Sequence, residues 1–296
     1  MNLRDLKYLI SVAKEQHFSR AAEQSFVSQP TLSMQIKKLE EELGVQIFER
    51  SQKNFLVTKV GKEIIKKAEI ILREAEEIRT IAKNSKDPFS GELRIGAFPT
   101  LASYFFPKIV GKISKKFPQL KLLSIEEKTE ELLRKLQSGE IDAAFIAMPV
   151  SNDVLNFKKI FEEDFLLAVP KNHALAKQKK IHAKDLKGQS LMLLEDGHCL
   201  RNQALEVCSM MSAFEQQDFK ATSLETLRQM VISGAGITLM PEIAVKKEDK
   251  IAYIKIANAP KRTIGLYWRK SSGRIELLKE ISKNASDAIN SKSTNH

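Results

Sequence analysis

The sequence contains two cysteines, Cys199 and Cys208, nine positions apart. If the segment between them is helical, a rise of about 1.5 Å per residue separates their Cα atoms by roughly 13 Å. A disulfide requires a Cα separation of about 7 Å or less. A bond between these cysteines would therefore unwind the helix, which is the behaviour of a redox switch. Two ordinary buried thiols that never meet are the alternative.

The surroundings of Cys199 in the sequence favour thiol chemistry there. Reaction with an oxidant needs a thiolate, and a free cysteine with a pKa of about 8.5 is mostly protonated at neutral pH. His198 precedes Cys199, and a helix that starts at this point would offer N–H groups and a dipole that favour an anion. Of the five histidines, only His198 lies near a cysteine in the sequence, which predicts no metal site.

Composition places the chain among globular proteins, with room for about two domains. Of the 296 residues, 43% are hydrophobic and 29% charged. The N-terminus lacks the apolar core of a signal peptide, and no apolar run approaches the roughly 18 residues of a membrane span. We therefore expect a cytoplasmic protein without membrane contact, where a disulfide would be transient. The net charge of +11 suits an anionic partner such as nucleic acid.

The N-terminal residues predict a helix-turn-helix. Apolar residues at helical spacing over residues 6–13 indicate an amphipathic first helix. Ser19 is expected to cap a second short helix and Ser28 a third, with Pro30 in the first turn of the third. Two capped helices joined by a tight turn over residues 18–37 have the arrangement of a DNA-reading motif.

The third helix has one apolar and one polar side. At 100° per residue the apolar residues point inward: Leu32, Ile36, Leu39 and Leu43. The residues that point outward are Pro30, Thr31, Ser33, Met34, Lys37 and Lys38. A short, polar and basic face suits contact with base edges and phosphates in a major groove. An ordinary solvated helix face is the alternative.

A β-hairpin and a long helix follow the third helix. Residues 46–50 and 54–58 flank a turn and predict a hairpin that carries Arg50 and Lys53 at its tip. After Thr58, an expected helix cap, apolar residues recur in alternating steps of four and three: Ile64, Ala68, Ile71, Ala75, Ile78 and Ala82. Such a heptad seam normally pairs with its own copy, and a dimer would present two reading helices to a two-fold DNA site.

The hydrophobic pattern changes after residues 84–91, where Pro, Gly and small polar residues break the helix. Strands and helices then alternate, which predicts parallel sheets with helical crossovers. The predicted elements are strands at 93–97, 122–125 and 143–147 and helices at 101–117 and 130–137. A second run of this kind is expected over about residues 165–268, with a final helix from Arg274 onward.

Three segments of the N-terminal module resemble the LysR-type transcriptional regulators: residues 18–23, 27–36 and 43–50. The resemblance implies a winged helix-turn-helix over 1–58, a linker helix and hinge over 59–90, and a regulatory domain over 91–296. That domain would have two α/β lobes around a cleft, like periplasmic binding proteins. The residues implied at the DNA surface are Gln29, Pro30, Thr31, Ser33, Met34 and Gln35, with Arg50 on a phosphate.

The regulatory half is similar to the peroxide-sensing branch of that family. The similarity lies in residues 194–204 with Cys208, in 221–230 and in 236–241. It implies that hydrogen peroxide oxidises Cys199 to a sulfenic acid and that Cys208 then closes a disulfide. The residues implied around the peroxide are Thr100, Thr129, His198 and Arg269. The resemblance also implies a homotetramer, a dimer of dimers, that activates transcription at promoter DNA through RNA polymerase, with no cofactor.

Two other functions are open to this sequence. A LysR-type regulator could bind a small metabolite between the lobes, with incidental cysteines. A thiol peroxidase or oxidoreductase is the second alternative, although Cys-x₈-Cys matches neither the thioredoxin-like Cys-x-x-Cys nor a zinc-ligand spacing. A DNA-reading module would have no purpose in such an enzyme, so we expect a regulator rather than an enzyme.

Overall fold

The computed structural model describes residues 1–50, 55–84, 87–150, 152–246 and 250–290. Two compact units divide the chain, Met1–Lys86 and Asp87–His296. The first unit is mainly helical, whereas the second alternates strands with helices, as the change in hydrophobic pattern predicts.

The first unit begins with three helices, of which the first and third start at side-chain caps. Its elements are α1 (Leu3–Glu15), α2 (Phe18–Gln24), α3 (Gln29–Leu43), β1 (Phe48–Arg50), β2 (Phe55–Val57) and α4 (Lys59–Asn84). The predicted cap Ser28 is confirmed, because its hydroxyl accepts a hydrogen bond from the Thr31 backbone N–H. The prediction for α2 is wrong: His17 is the N-cap, and Ser19 lies inside the helix.

Helix α3 packs on α1 and α2 through the predicted apolar side. Leu32, Ile36 and Leu39 are buried in one cluster with residues of both helices. Leu43, the fourth residue predicted to point inward, is 37% exposed because it ends the helix. The polar side of α3 is therefore held outward by a core that the sequence pattern describes correctly over its first three turns.

The hairpin and α4 complete the first unit. Strands β1 and β2 pair antiparallel, with Phe48 opposite Val57. The predicted cap Thr58 is confirmed by the hydrogen bond that its hydroxyl accepts from the Gly61 N–H at 2.9 Å. Gly61 allows a close approach, since a Cβ at this position would lie 2.5 Å from the Ile47 carbonyl oxygen.

The heptad seam of α4 divides into a covered and an exposed part. Ala68 is buried in the core of the first unit, and Ile64 packs against that core. Farther along the helix, Ile71 is 42% exposed and Ile78 is 68% exposed. The second half of the seam thus leaves large apolar side chains on the surface of the chain.

The second unit contains two sheets with helices around them. Its strands are β3 (Gly91–Ala97), β4 (Leu120–Glu126), β5 (Ala143–Ala147), β6 (Leu155–Glu163), β7 (Phe165–Pro170), β8 (Lys180–Ile181), β9 (Ser190–Leu194), β10 (Phe214–Ala221), β11 (Ile237–Pro241), β12 (Ile251–Ile256) and β13 (Arg262–Arg269). Its helices are α5 (Pro99–Lys116), α6 (Thr129–Ser138), α7 (Ala183–Leu186), α8 (Cys199–Met210), α9 (Leu224–Ile232) and α10 (Ile275–Asn290).

Each sheet forms the centre of one lobe. The first lobe has the strand order β4-β3-β5-β13-β6, and the second has β10-β9-β11-β7-β12-β8. The two-lobed α/β architecture is confirmed, but both sheets mix directions: β13 runs antiparallel to β5, and β7 runs antiparallel to β11. The expected second run to residue 268 is also wrong, because β13 returns to the first sheet.

Separate apolar cores support the two lobes. Strand β5 is central in the first lobe, and all five of its residues are buried. The C-terminal helix α10 packs there too, through Leu277, Leu278 and Ile281. The chain passes to the second lobe after β6 and returns with β13, so these neighbouring strands are the two crossings between the lobes.

Candidate thiol site and DNA-binding surface

Cys199 and Cys208 lie on one intact helix. Helix α8 starts at Cys199 and ends at Met210, and both thiols are free. At a rise of about 1.5 Å per residue their Cα atoms are roughly 13 Å apart, too far for a disulfide. The geometric premise of the switch is confirmed: closing the bond requires α8 to unwind.

The two thiols have different surroundings. Cys208 is 4% exposed and belongs to the core of the second lobe. Cys199 is partly buried and packs against the core of the first lobe, although its helix belongs to the second. Its sulfur therefore lies where the two lobes meet, and groups from the first lobe determine its chemistry.

Several groups act on the charge state of Cys199. Burial raises the pKa of its thiol above the ordinary value, while the Arg262 charge, the Thr129 hydroxyl and the N–H groups of Leu200 and Cys199 itself lower it. The buried Thr129 hydroxyl has no oxygen or nitrogen partner among the described residues. The helix start favours an anion, as expected, but burial dominates, so the resting thiol is protonated at neutral pH.

Arg262 is the cation that faces this site, and no motif in the sequence pointed to it. Its Nη1 donates to the Thr100 hydroxyl at 3.3 Å, and its Nε and Nη2 donate to Glu163 Oε1 at 2.8 and 2.5 Å. The guanidinium also lies over the Phe98 ring, 5.4 Å from its centroid. Thr100 is therefore linked to the thiol site through Arg262.

Arg269, the arginine predicted for the site, lies at the other end of the same strand. Its Nη1 donates to the carbonyls of Leu136 and Ile141 at 2.8 and 2.7 Å. Seven residues of extended chain separate Arg269 from Arg262, roughly 23 Å. The prediction is corrected by strand direction: β13 is antiparallel to β5, so its beginning, not its end, lies at the edge where Thr100 follows β3.

His198 is the N-cap residue of α8 and is 6% exposed. Burial and the charge of Lys128 lower the pKa of its imidazole, and Glu195 at 3.8 Å raises it less. The ring is therefore neutral at pH 7. A neutral imidazole can donate one hydrogen bond and accept another, but it does not supply a positive charge.

The turn before Cys199 is held from the first lobe. Lys128, the N-cap of α6, donates to Glu195 Oε1 and to the Asp196 carbonyl, both at 3.1 Å. Gly197 has a φ of +88°, and a Cβ there would lie 3.2 Å from the Lys128 side chain. Both the backbone conformation and the close approach favour glycine at this position.

Helix α8 is anchored to the second lobe by Arg201. Its guanidinium donates to both carboxylate oxygens of Glu215 on β10, to the Leu194 carbonyl at 3.0 Å and to Asp196 at 2.9 Å. On the same helix, burial is the main cause that raises the pKa of Cys208 to about 11, and the Glu215 charge adds to it. The Cys208 thiol is therefore buried and protonated at neutral pH while α8 is folded.

The outer side of α3 carries the residues predicted to read DNA. Exposed side chains on it are Gln29, Pro30, Thr31, Met34, Lys37 and Lys38, and half-buried ones are Ser33 and Gln35. The predicted wing contacts cannot be placed in the same way, since Lys53 and the Arg50 side chain lie outside the described residues. All the predicted outer residues of α3 are therefore exposed or half-buried.

Two further features concern the kind of protein. No helix within the described ranges is long and apolar enough to cross a bilayer. In the same ranges, no three His, Cys, Asp or Glu side chains converge as metal ligands would.

Comparison with known proteins assigns the family. Residues 3–62 match the model described as bacterial regulatory helix-turn-helix protein, lysR family, and residues 86–284 match the LysR substrate binding domain. The chain belongs to the LysR family of DNA-binding transcriptional regulators.

Within that family the chain falls in the OxyR branch. It is 42% identical to the DNA-binding transcriptional dual regulator OxyR of Escherichia coli K12 over 95% of this chain and 94% of that protein. It is also 42% identical to the hydrogen peroxide-inducible genes activator of Dickeya chrysanthemi, with 94% and 93% covered. Full-length OxyR of Pseudomonas aeruginosa with a cysteine-to-aspartate substitution superimposes with a TM-score of 0.77 at 36% identity, covering 97% and 98%.

Proposed function

We propose that this protein is a cytoplasmic transcription activator that hydrogen peroxide switches on by oxidising Cys199. The observation that carries the proposal is the placement of the Cys199 thiol at the junction of the lobes, beside Arg262 and the Thr129 hydroxyl. A nearby cation and hydrogen-bond donors favour the thiolate, which is the form of cysteine that attacks a peroxide.

The first chemical step forms a sulfenic acid. The Cys199 thiolate attacks one peroxide oxygen, so that an S–O bond forms and the O–O bond breaks. Arg262 and Thr129 stabilise the thiolate, and Arg262 stabilises the negative charge on the departing oxygen, which takes a proton and leaves as water. Neutral His198 and Thr100 orient the peroxide by hydrogen bonds. Arg269, the arginine first expected here, has no part in this step.

The second step closes the disulfide. The Cys208 thiolate attacks the Cys199 sulfur, an S–S bond forms, and the S–O bond breaks to release water after protonation. Because α8 holds the two residues apart, the helix must unwind first, and Cys208 must leave its buried position to ionise. The slow part of this step is therefore conformational.

Unwinding of α8 changes the surface of the second lobe. We propose that this change alters how subunits pack in a homotetramer built as a dimer of dimers, and so alters the contacts with promoter DNA and RNA polymerase. The named OxyR relatives are regulators, which supports a signalling rather than an enzymatic use of the thiols. The DNA contacts proposed are those of the α3 face together with Arg50 and Lys53 of the wing.

Peptide mapping by mass spectrometry after stoichiometric peroxide tests this function, beside a DNA footprint of each state. We expect a Cys199–Cys208 disulfide and a changed footprint in the wild type. Cys199→Ser should lose both, whereas Cys208→Ser should stop at the sulfenic acid. A Cys199→Ser protein that still responds to peroxide would overturn the proposal. Stabilisation by a small metabolite that survives loss of both cysteines would favour an inducer-binding regulator instead.

A further inference from the structure

A buried ion pair lies behind the thiol site. Arg262 is fully buried and Glu163 is 5% exposed, and the two face each other across β13 and β6. One carboxylate oxygen, Glu163 Oε1, accepts hydrogen bonds from both Nε and Nη2 of Arg262. This arrangement leaves Nη1 as the edge of the guanidinium that is directed to the Thr100 hydroxyl.

The second oxygen of Glu163 is bound to the other lobe. Oε2 accepts a hydrogen bond of 2.8 Å from the backbone N–H of Ile243, in the short 3-10 turn Glu242–Ala244 that follows β11. Glu163 thus bonds at once to the arginine of the first lobe and to the backbone of the second. Both of its oxygens therefore accept hydrogen bonds, one from each lobe.

A guanidinium that is fixed by hydrogen bonds stabilises a nearby anion better than one that is free to rotate. The long arginine side chain has several rotatable bonds, and a fixed guanidinium can direct its charge at one place without reorganisation. The charge of Glu163 by itself has the opposite effect, because a nearby anion opposes ionisation of a thiol. Removing this carboxylate therefore has two opposite effects on the Cys199 thiolate. Loss of the fixed Arg262 position destabilises the thiolate, whereas loss of the Glu163 charge stabilises it.

We propose that Glu163 is a positioning residue for the oxidation of Cys199: it fixes Arg262 with Nη1 toward the thiol pocket through bonds that span both lobes. The proposal rests on the proposed function, in which Cys199 reacts with peroxide. Glu163 touches neither the thiol nor the peroxide and acts through Arg262.

Glu163→Gln is the decisive variant. The glutamine keeps the volume but has a single carbonyl oxygen, so its NH₂ group must face a donor, either Arg262 or the Ile243 N–H. We expect the second-order rate constant of Cys199 oxidation at pH 7 to fall about tenfold, because a pKa higher by about one unit leaves about a tenth of the thiolate. The rate against pH should shift to the alkaline side by the same amount.

The experiment uses the full-length protein in a Cys208→Ser background, with hydrogen peroxide as the probe and the sulfenic acid trapped by dimedone and counted by mass spectrometry from pH 6 to 9. Glu162→Gln is the matched control, since Glu162 is the exposed neighbour that pairs with Lys159 at 2.7 Å. It should react at the wild-type rate. Thermal unfolding of each variant verifies that the comparison is between folded proteins.

Further variants separate positioning from a purely structural role. Glu163→Asp keeps the charge but shortens the side chain, and we expect an intermediate rate; it also serves if Glu163→Gln does not fold. Glu163→Gln added to Arg262→Gln should cause no further loss of rate, because the effect passes through Arg262.

The possible outcomes are distinct. A folded Glu163→Gln protein that reacts at the wild-type rate or faster would refute the inference while leaving the peroxide switch intact. A further loss in the double variant would show a structural role instead. If wild-type Cys199 does not react with stoichiometric peroxide, the proposed function fails, and this inference fails with it.

Discussion

At the scale of single residues, the two thiols of one helix differ in what controls them. Cys199 is held at the lobe junction, where a cation and a hydroxyl from the first lobe oppose the effect of burial. For Cys208 both burial and the neighbouring Glu215 charge act against the thiolate, and its pKa is raised to about 11. One thiol is thus prepared to react in the folded protein, and the other reacts only after its surroundings change.

The alkaline pH dependence of stability follows from Cys208. Its folded-state pKa of about 11 lies above the ordinary value, so the unfolded chain releases this proton at lower pH, from about 8.5. The contribution of the neutral thiol to stability is full below that pH and is lost as pH rises toward 11. In a Cys199→Ser background, we expect adding Cys208→Ala to flatten the decrease in unfolding free energy between pH 8.5 and 10.5. Parallel curves from denaturant titrations of the two proteins would contradict this assignment.

Site residues were predictable where they stand beside a motif. The Thr129 hydroxyl acts on the Cys199 thiol, and His198 directly precedes it. The family resemblance pointed to Thr129, and the roles of both residues toward peroxide stay predictions. Arg262 was missed because its relevance depends on the direction of β13, and pairing direction is a tertiary property that residues of one strand do not encode. Glu163 was missed for the same reason, since it becomes relevant only as the partner of Arg262.

At the scale of elements, α8 is both the proposed switch segment and a well-anchored helix. Arg201 fixes its first turn to Glu215 on β10, with side-chain exposures of 9% and 11%. Removing the Glu215 carboxylate takes away charge-assisted hydrogen bonds that contribute about 1.5–3 kcal/mol, while Arg201 keeps its bond to Asp196 at 2.9 Å. This anchor opposes unwinding, so it sets how readily oxidation proceeds from the sulfenic acid to the disulfide.

We therefore expect Glu215→Gln to lower the stability of the reduced protein by about 2 kcal/mol and to speed disulfide closure after sulfenic acid formation several-fold. Loss of the Glu215 charge should also ease ionisation of Cys208, in the same direction. Stopped-flow quenching followed by gel or mass analysis measures the closure rate. Lys220→Gln is the control, because Lys220 makes a looser, exposed pair with Asp196 at 3.7 Å. Slower closure in Glu215→Gln would show that the anchor assists the reaction instead.

The outer face of α3 predicts how charge contributes to DNA binding. Lys38 is exposed there, and a lysine that neutralises one phosphate accounts for a slope of about −0.9 in log affinity against log salt. We expect Lys38→Gln to reduce the slope by about this amount on any DNA sequence, whereas Thr31→Ala should weaken only the specific operator. Lys121→Gln, which removes an equal charge from β4, should leave the slope unchanged. An unchanged salt dependence in Lys38→Gln would show that Lys38 does not contact a phosphate.

Secondary structure was largely predictable, and topology was not. Strand β5 has the predicted bounds of 143–147, and α5 and α6 differ from prediction by one or two residues at their ends. Alternating strands and helices suggested parallel sheets, but β6, β7, β12 and β13 introduce antiparallel pairs. Hydrophobic periodicity reports which side of an element is buried, and it contains no information on which strand returns to which sheet.

At the scale of the whole molecule, the exposed half of the α4 seam indicates self-association. Ile71 and Ile78 are 42% and 68% exposed, although they continue the apolar repeat that Ala68 begins in the core. Large apolar side chains at heptad spacing are normally covered by another helix. A second copy of α4 has the matching repeat.

Ile78→Glu should therefore weaken association of the full-length protein, because pairing two copies would bury the introduced charges. Sedimentation equilibrium measures this, and we expect the dissociation constant of the dimer to rise by at least about tenfold, or about 1.4 kcal/mol. Val154→Glu places the same charge on another exposed apolar residue, 52% exposed in the second unit, and should not alter association through α4. A dimer of unchanged affinity in Ile78→Glu would exclude this half of the seam from the contact.

The return of β13 to the first sheet means that the second lobe is one uninterrupted stretch of about residues 164–257, inserted between two parts of the first. Both cysteines are encoded in that stretch, whereas Thr100, Thr129, Arg262 and Glu163 belong to the host around it. Transplanting the insert into another two-lobed scaffold would carry the thiol pair without the groups that activate it. In the proposed mechanism, peroxide sensitivity therefore requires residues from both parts of the chain and is not a property of the cysteine segment alone.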